Sequence, residues 1–173
     1  DYKKFESFYA GEGDHLSIAR DGRTSAVIRS SFAAPPEIWA GPIGDWRQFT
    51  NYNSSVKPAW GEARNVHWTN DGLHVQGWLL FPRDYDARKK YPLVVHVHGG
   101  PAAACMNRWS PGDGAFSAMG YFELCPNPRG SYGQGESFTQ ANVKDFGGGY
   151  FRDIMAGIPS LAREYPIDRD RLG

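Results

Sequence analysis

The sequence predicts an α/β fold with a largely parallel sheet, preceded by a smaller all-β unit. Three observations carry this reading. Leu93 to Val97 is a continuous run rich in β-branched residues and apolar in character, the pattern of a strand covered on both faces. Tyr121 to Cys125 reads as another buried strand, separated from the first by room for a helix near Asp113 to Met119. Phe151 to Glu164 then repeats apolar residues at helical spacing, with Ile154, Met155, Ile158 and Leu161 on one side. A strand–helix–strand–helix–strand order requires parallel strands joined by crossover helices.

The elements ahead of this core are short. His15 to Arg20 and Thr24 to Ser31 flank an Asp21-Gly22 turn; Glu37 to Ala40 follows Pro35-Pro36, and Trp46 to Phe49 follows Gly44-Asp45. Four short strands with turns between them resemble one blade of a β-propeller. One blade cannot close a ring, so these strands form either the last blade of something longer, which is favoured, or another small sheet. Residues 51–62 are polar and turn-rich and read as a linker. Arg64 to Thr69 and Leu73 to Phe81 flank Asn70-Asp71-Gly72, a strong hairpin signal. His74, Gln76 and Trp78 alternate with Val75, Gly77 and Leu79, as in a half-buried antiparallel pair. Pro159 is expected to kink or shorten the last helix, and Arg171-Leu172-Gly173 to begin a further strand. The expected organisation is a terminal blade, a partial domain, at 1–53 and the N-terminal part of an α/β domain at 54–173.

Composition excludes several classes of partner. Lys and Arg total 19, as do Asp and Glu, so no basic excess points to nucleic acid or an anionic membrane surface. The longest apolar stretches reach about ten residues, half of the roughly 20 that a membrane-spanning helix needs. No basic-then-apolar leader stands at residue 1. Cys105 and Cys125 are too few for a disulfide scaffold and read as two buried thiols, their spacing giving a bridge no support. Thiols favour the cytoplasm, with the periplasm as the alternative.

The motifs that carry chemistry lie after residue 90. In "PLVVHVHGGP", residues 92–101, a buried strand runs straight into His98-Gly99-Gly100-Pro101. Glycines at the carboxyl end of a strand let backbone N–H groups approach a ligand closely. In α/β-hydrolases such a loop supplies one donor of the oxyanion hole, and Gly100 N–H is the preferred candidate; the competing reading is a tight turn that needs glycine. His96 and His98 also invite a metal reading, but no third ligand follows, and no metal is expected. "NPRGSYGQGESF", residues 127–138, has its glycines in the order G-x-x-G-x-G, the wrong order for a dinucleotide loop, so no cofactor is expected. Ser131 is not a nucleophile elbow, since residue 129 is Arg and not Gly. Arg129 is expected to organise its loop by hydrogen bonds to carbonyls or a carboxylate. The glycines of "DFGGGY" read as a turn before a helix, and Asp153 as a first-turn acid favoured by the helix dipole.

Taken together, in this order and spacing, "DGLHVQGWLLFP", "YPLVVHVHGGP", "NPRGSYGQGESF" and "DFGGGYFRDIMAGI…YPIDRDRLG" resemble the prolyl oligopeptidase family of serine peptidases. The His-Gly-Gly-Pro form is nearer its acylaminoacyl and dipeptidyl peptidase branches than its prolyl endopeptidases. Ala102, Phe146, Tyr150 and Pro159 depart from residues common there. The resemblance implies a terminal propeller blade followed by the N-terminal part of an α/β-hydrolase domain. It implies acyl transfer from short peptides, with Gly100 as oxyanion donor, Gly99 and His98 shaping that loop, and Arg129 and Tyr132 bordering the pocket. It places the triad later in the family's chain; no G-x-S-x-G occurs here, and the chain alone is expected to be inactive. The expected partners are a short peptide and the remainder of the propeller and hydrolase domains, with a homo-oligomer allowed. An esterase on the same fold and a non-catalytic binding module are the alternatives.

Overall fold

A computed structural model describes residues 16–100, 102–145 and 147–173; His15, Pro101 and Phe146 lie outside the described residues. The chain divides into two compact units, Asp1–Pro58 with Met106–Trp109, and Ala59–Cys105 with Ser110–Gly173.

The described residues of the first unit form a four-stranded antiparallel meander of β1 (Ser17–Ile18), β2 (Thr24–Arg29), β3 (Glu37–Pro42) and β4 (Arg47–Gln48), in chain order. Its first turn is set by Asp21, whose Oδ1 accepts the N–H groups of Arg23 and Thr24. Alternation sorts β2 into two faces. Ser25 and Val27 are buried, and Trp46 Nε1 donates to Ser25 Oγ at 2.8 Å. On the other face the cross-strand partners Ile28 and Ile38 stay 40% and 41% exposed. Residues 106–109 join this unit through Phe32 N–H to Asn107 Oδ1 and Trp109 N–H to Ser30 Oγ. Nothing in the sequence announces that excursion.

The second unit holds a five-stranded mixed sheet of β5 (Ala63–Asn70), β6 (Leu73–Leu80), β7 (Tyr91–Val95), β8 (Phe122–Asn127) and β9 (Ile167–Leu172). Its order is β5-β6-β8-β7-β9. β5, β6 and β8 run antiparallel, whereas β7 is parallel to both β8 and β9. The hairpin turn Asn70-Asp71-Gly72 has φ +50° at Asp71 and +76° at Gly72, the left-handed pair that a tight hairpin requires. Among the described residues three helices connect the rest: α1 (Ala115–Ala118), α2 (Glu136–Gln140) and α3 (Gly149–Glu164).

β8 is buried along its whole length, and its alternation divides the core. Phe122 and Leu124 point to the side of α3 and cluster with Leu93, Trp68 and Leu161. Each such fully buried side chain contributes about 1.5–3 kcal/mol relative to exposure. Glu123 points to the other face, where it meets the first helix: Ser117 N–H donates to its Oε2 at 3.2 Å. Helices α1 and α3 therefore cover opposite faces. Phe81, Tyr85, Tyr91, Phe122 and Tyr165 pack edge-to-face or tilted around the starts of β7 and β8. This aromatic cluster closes the amino end of the parallel strands and leaves their carboxyl end to loops.

Four expectations need correction. Helix α3 runs through Pro159 without a break. The carbonyl that Pro159 frees is that of Met155, which is exposed, so water can take the lost bond. β9 is a full strand ending at Leu172, not one beginning at Arg171. Only Ile167 of it is buried, and its Asp-Arg-Asp-Arg run reads as loop. β7 ends at Val95, two residues early, although His96 N–H still donates to Leu124 O. Lastly, Cys105 and Cys125 are joined in a disulfide with Cα atoms 6.1 Å apart, within the usual bridging range. The two-thiol reading fails because the loop after β7 folds back over β8, a long-range placement that linear spacing does not carry. Bonded cysteines lend no support to a reducing compartment.

Candidate active site

The carboxyl ends of β7, β8 and β9 lie at one edge of the sheet, and three sequence segments singled out above leave from there. β7 leads into His98-Gly99-Gly100, β8 into Arg129-Gly130-Ser131-Tyr132, and β9 into Gly173, whose N–H donates to Leu93 O and whose C=O accepts from Val95 N–H. From β7 the chain passes to α1 on one face; from its neighbour β8 it passes to α3 on the other. Adjacent strands whose connections leave on opposite faces open a crevice outside their carboxyl ends, the preferred ligand position in open α/β sheets.

The loops on either side of that crevice are joined to each other. His98 Nε2 lies 3.0 Å from Ser131 Oγ, and its Nδ1 lies 3.1 Å from Gly99 O. Tyr132 N–H donates to Ala103 O at 2.9 Å, and its side chain remains half exposed. Gly99 and Gly100 are exposed. Gly100 has φ +141°, and a Cβ there would stand 2.9 Å from Ala102 N and 3.1 Å from Ala103 N, too close to backbone to be accommodated in place. Around Gly99 nothing would meet a Cβ within 4 Å. Of the five site residues read from the sequence, the structure thus brings His98, Gly99, Gly100 and Tyr132 to this edge. The two imidazoles of His96 and His98 take separate partners, Glu123 and Ser131.

Arg129 lies behind the loop, only 8% exposed. Its Nε and Nη2 grip Asp153 of α3 at 2.8 and 2.7 Å, its own N–H donates to the same carboxylate at 2.9 Å, and Nη2 reaches Asp71 at 2.9 Å. The Asp153 carboxylate, first, holds the guanidinium proton more tightly than usual. A Cβ on Gly149 would lie 2.5 Å from Arg129 Nη1, so the glycine run before α3 makes room for this pair. Asp153 is no exposed first-turn acid: it is fully buried and faces inward. The acceptor of Arg129 is the carboxylate that its loop-organising role calls for.

On the α1 face of β8, Glu123 and Asn127 escaped the sequence reading, and they flank Cys125, which it took for a free thiol. Their period-two spacing inside an otherwise apolar run was the available signal. Glu123 is 1% exposed; its Oε1 makes no hydrogen bond among the described residues and lies 3.7 Å from His96 Nδ1. Burial pushes its carboxyl above the ordinary value of 4.5, opposed by the Ser117 N–H and by His96. A carboxyl raised in the folded state binds its proton more tightly there than in the unfolded chain. Its contribution is complete below the ordinary carboxylate range and is lost as pH climbs through the raised value. Glu123→Gln, which cannot ionise, should therefore gain stability relative to the parent as pH rises. Urea midpoints at several pH values from 4 to 8 check this, and equal pH slopes for the two proteins would refute it.

Comparison with known proteins agrees with this geometry. The model of the prolyl oligopeptidase family matches residues 114–173. The dipeptidyl-peptidase 5 of Porphyromonas endodontalis is 28% identical over 99% of this chain and 26% of its own length. That of Porphyromonas gingivalis is 31% identical over 98% of this chain and 26% of its own. A solved acylaminoacyl peptidase in complex with Z-Gly-Gly-Phe-chloromethyl ketone superposes with a TM-score of 0.82 at 28% identity, covering 92% of this chain and 26% of that one. The chain spans about a quarter of the length of the relatives it matches. With a parallel strand entering Gly99-Gly100 at the edge where β8 and β9 also end, and with these relatives along nearly all of its length, this chain belongs to the prolyl oligopeptidase family.

Proposed function

We propose that this chain is the oxyanion side of a serine-type peptidase that cleaves short peptides by acyl transfer. In this reading the meander of β1–β4 is the last blade of a β-propeller, and residues from 54 onward open an α/β-hydrolase domain. Gly100 N–H points its dipole at the oxygen of the tetrahedral adduct, His98 and Gly99 set the course of that loop, and Tyr132 borders the pocket. Arg129 holds the facing loop in place through Asp153. The attacking serine, its histidine and its aspartate come from outside these residues, so the chain alone has no turnover. The supporting observation is the parallel β7 that delivers two exposed glycines to the crevice beside β8. Negative charge appears on that oxygen only in the transition state, so a preorganised amide there accelerates the step instead of merely binding substrate. The relatives named for dipeptidyl and acylaminoacyl peptidase activity support amide substrates over simple esters.

The test uses the full-length protein with fluorogenic dipeptidyl and acyl-aminoacyl amides beside p-nitrophenyl esters. Amide turnover abolished by a serine-directed phosphonate is expected. Ester turnover with no amide turnover would leave the esterase reading in place of this one.

A further inference from the structure

We infer that Asn127 and the Cys105–Cys125 disulfide are positioning residues that hold the Gly99-Gly100 loop in register with β8, an inference that rests on the peptidase reading of that loop. Among the described residues, none after His96 is in regular structure until α1. Fixing such a segment costs backbone entropy at every residue, so an amide that must stay within roughly 0.5 Å of its target needs external anchors.

The anchors are concentrated at Cys105. Asn127 Oδ1 accepts the Cys105 N–H at 2.7 Å, and Asn127 Nδ2 donates to the Cys105 C=O at 3.0 Å. One side-chain amide thus pairs both backbone groups of Cys105, as a neighbouring strand would. Asn127 is 4% exposed, and its Nδ2 also donates to Gln76 Oε1 at 2.6 Å, so the orientation of its amide is fixed by β6. Cys125 lies two residues away on the same face of β8 and bonds the Cys105 sulfur covalently. The loop is therefore fixed at His96 by the Leu124 carbonyl, at Ala103 by the Tyr132 N–H and at Cys105 by three links. Hydrogen bonds alone can open singly, whereas the disulfide keeps Cys105 beside β8 while they do. Cys105 is only partly buried, which leaves a reductant an approach.

The test follows the full-length protein in three forms besides the parent: reduced with a water-soluble phosphine, Cys105→Ser/Cys125→Ser, and Asn127→Asp. In the reduction two electrons from the phosphine cleave the S–S bond, two protons complete the thiols, and the phosphine takes up oxygen from water. Hydrogen exchange of residues 98–105 should quicken about tenfold or more in each form, while the amides of β7 and β8 keep their protection. Turnover of a dipeptidyl amide should fall about ten- to a hundredfold in kcat, with KM little changed. Unchanged exchange in all three forms overturns the inference whatever the activity does. Faster exchange with unaltered kcat overturns it too, since the loop is then tethered without consequence for the reaction. If the oxidised parent hydrolyses no amide although exchange responds as stated, the positioning role falls together with the peptidase reading. The exchange response distinguishes that failure from the first.

Discussion

With Gly100 N–H as the proposed oxyanion donor of a peptidase, Gly100→Ala is expected to lower kcat for peptide amides by about 10²–10³-fold, roughly 3–4 kcal/mol of transition-state stabilisation, with KM changed far less. Two independent features of the position set the size of the effect. The backbone at Gly100 has φ +141°, which residues with a Cβ rarely adopt. An added Cβ would also press on the backbone nitrogens of Ala102 and Ala103, so the loop must move to admit it. Moving the loop moves the amide, and an oxyanion donor displaced by about 1 Å loses most of its value. Gly99→Ala is the internal comparison: its Cβ enters open space, so a loss under about tenfold is expected. Gly99→Ala should leave the thermal transition nearly unchanged, whereas Gly100→Ala, which strains the loop backbone, should lower it modestly. Steady-state kinetics of the two variants in the full-length protein decide the matter. Equal losses at 99 and 100, or a loss confined to KM, would remove Gly100 from the oxyanion hole.

Much of the parallel core is legible in the sequence because its signals are local. Leu93–Val95 is an apolar run and Phe122–Cys125 a mostly apolar one, Asn70-Asp71-Gly72 spells a tight turn, and the apolar stripe of α3 repeats at helical spacing. The residues read as site residues are likewise marked locally, by glycines and a histidine directly after a strand. What is not legible is long-range or contrary to local pattern. β9 is a strand although four of its six residues are charged, because its backbone pairs with β7 while Asp168 to Arg171 face solvent or one another. Asn127 is an unremarkable polar residue until Cys105 is laid beside it, 22 residues back in the chain. The partner of Arg129 lies 24 residues away, and Asp153 looks like a helix-start acid until the helix is packed on β5. Charge pairing inside a core is decided by tertiary placement, and a single sequence records only that the two charges exist.

That buried pair carries the largest expected effect on stability. Asp153→Ala should destabilise the protein by about 3–5 kcal/mol, because it leaves a guanidinium buried with its main counter-charge gone. The residue is fully buried, and Arg129 is 8% exposed, so water cannot easily replace the lost carboxylate. More than the ion pair is involved. Asp153 also accepts the Arg129 backbone N–H and the Asn70 side-chain amide, so the truncation orphans three donors, one from the end of β5 and two from the loop between β8 and α2. Asp71 offers partial compensation through Arg129 Nη2, but it sits on an exposed turn and is shared with Arg152, so Asp71→Ala should cost far less. Asp153→Leu combined with Arg129→Met should recover much of what either change loses alone, since replacing both charges removes the unpaired one. Urea unfolding followed by tryptophan fluorescence provides the reading, as the Trp68 Nε1 donates to the Asp153 carbonyl and reports on the same contact. If the double replacement is as damaging as the sum of the singles, the cost lies in packing and backbone hydrogen bonds, not in an uncompensated charge. Activity should respond differently from stability. Arg129 closes the back of the loop that faces Gly100, so the double variant, even when folded, should keep less turnover than its melting temperature implies.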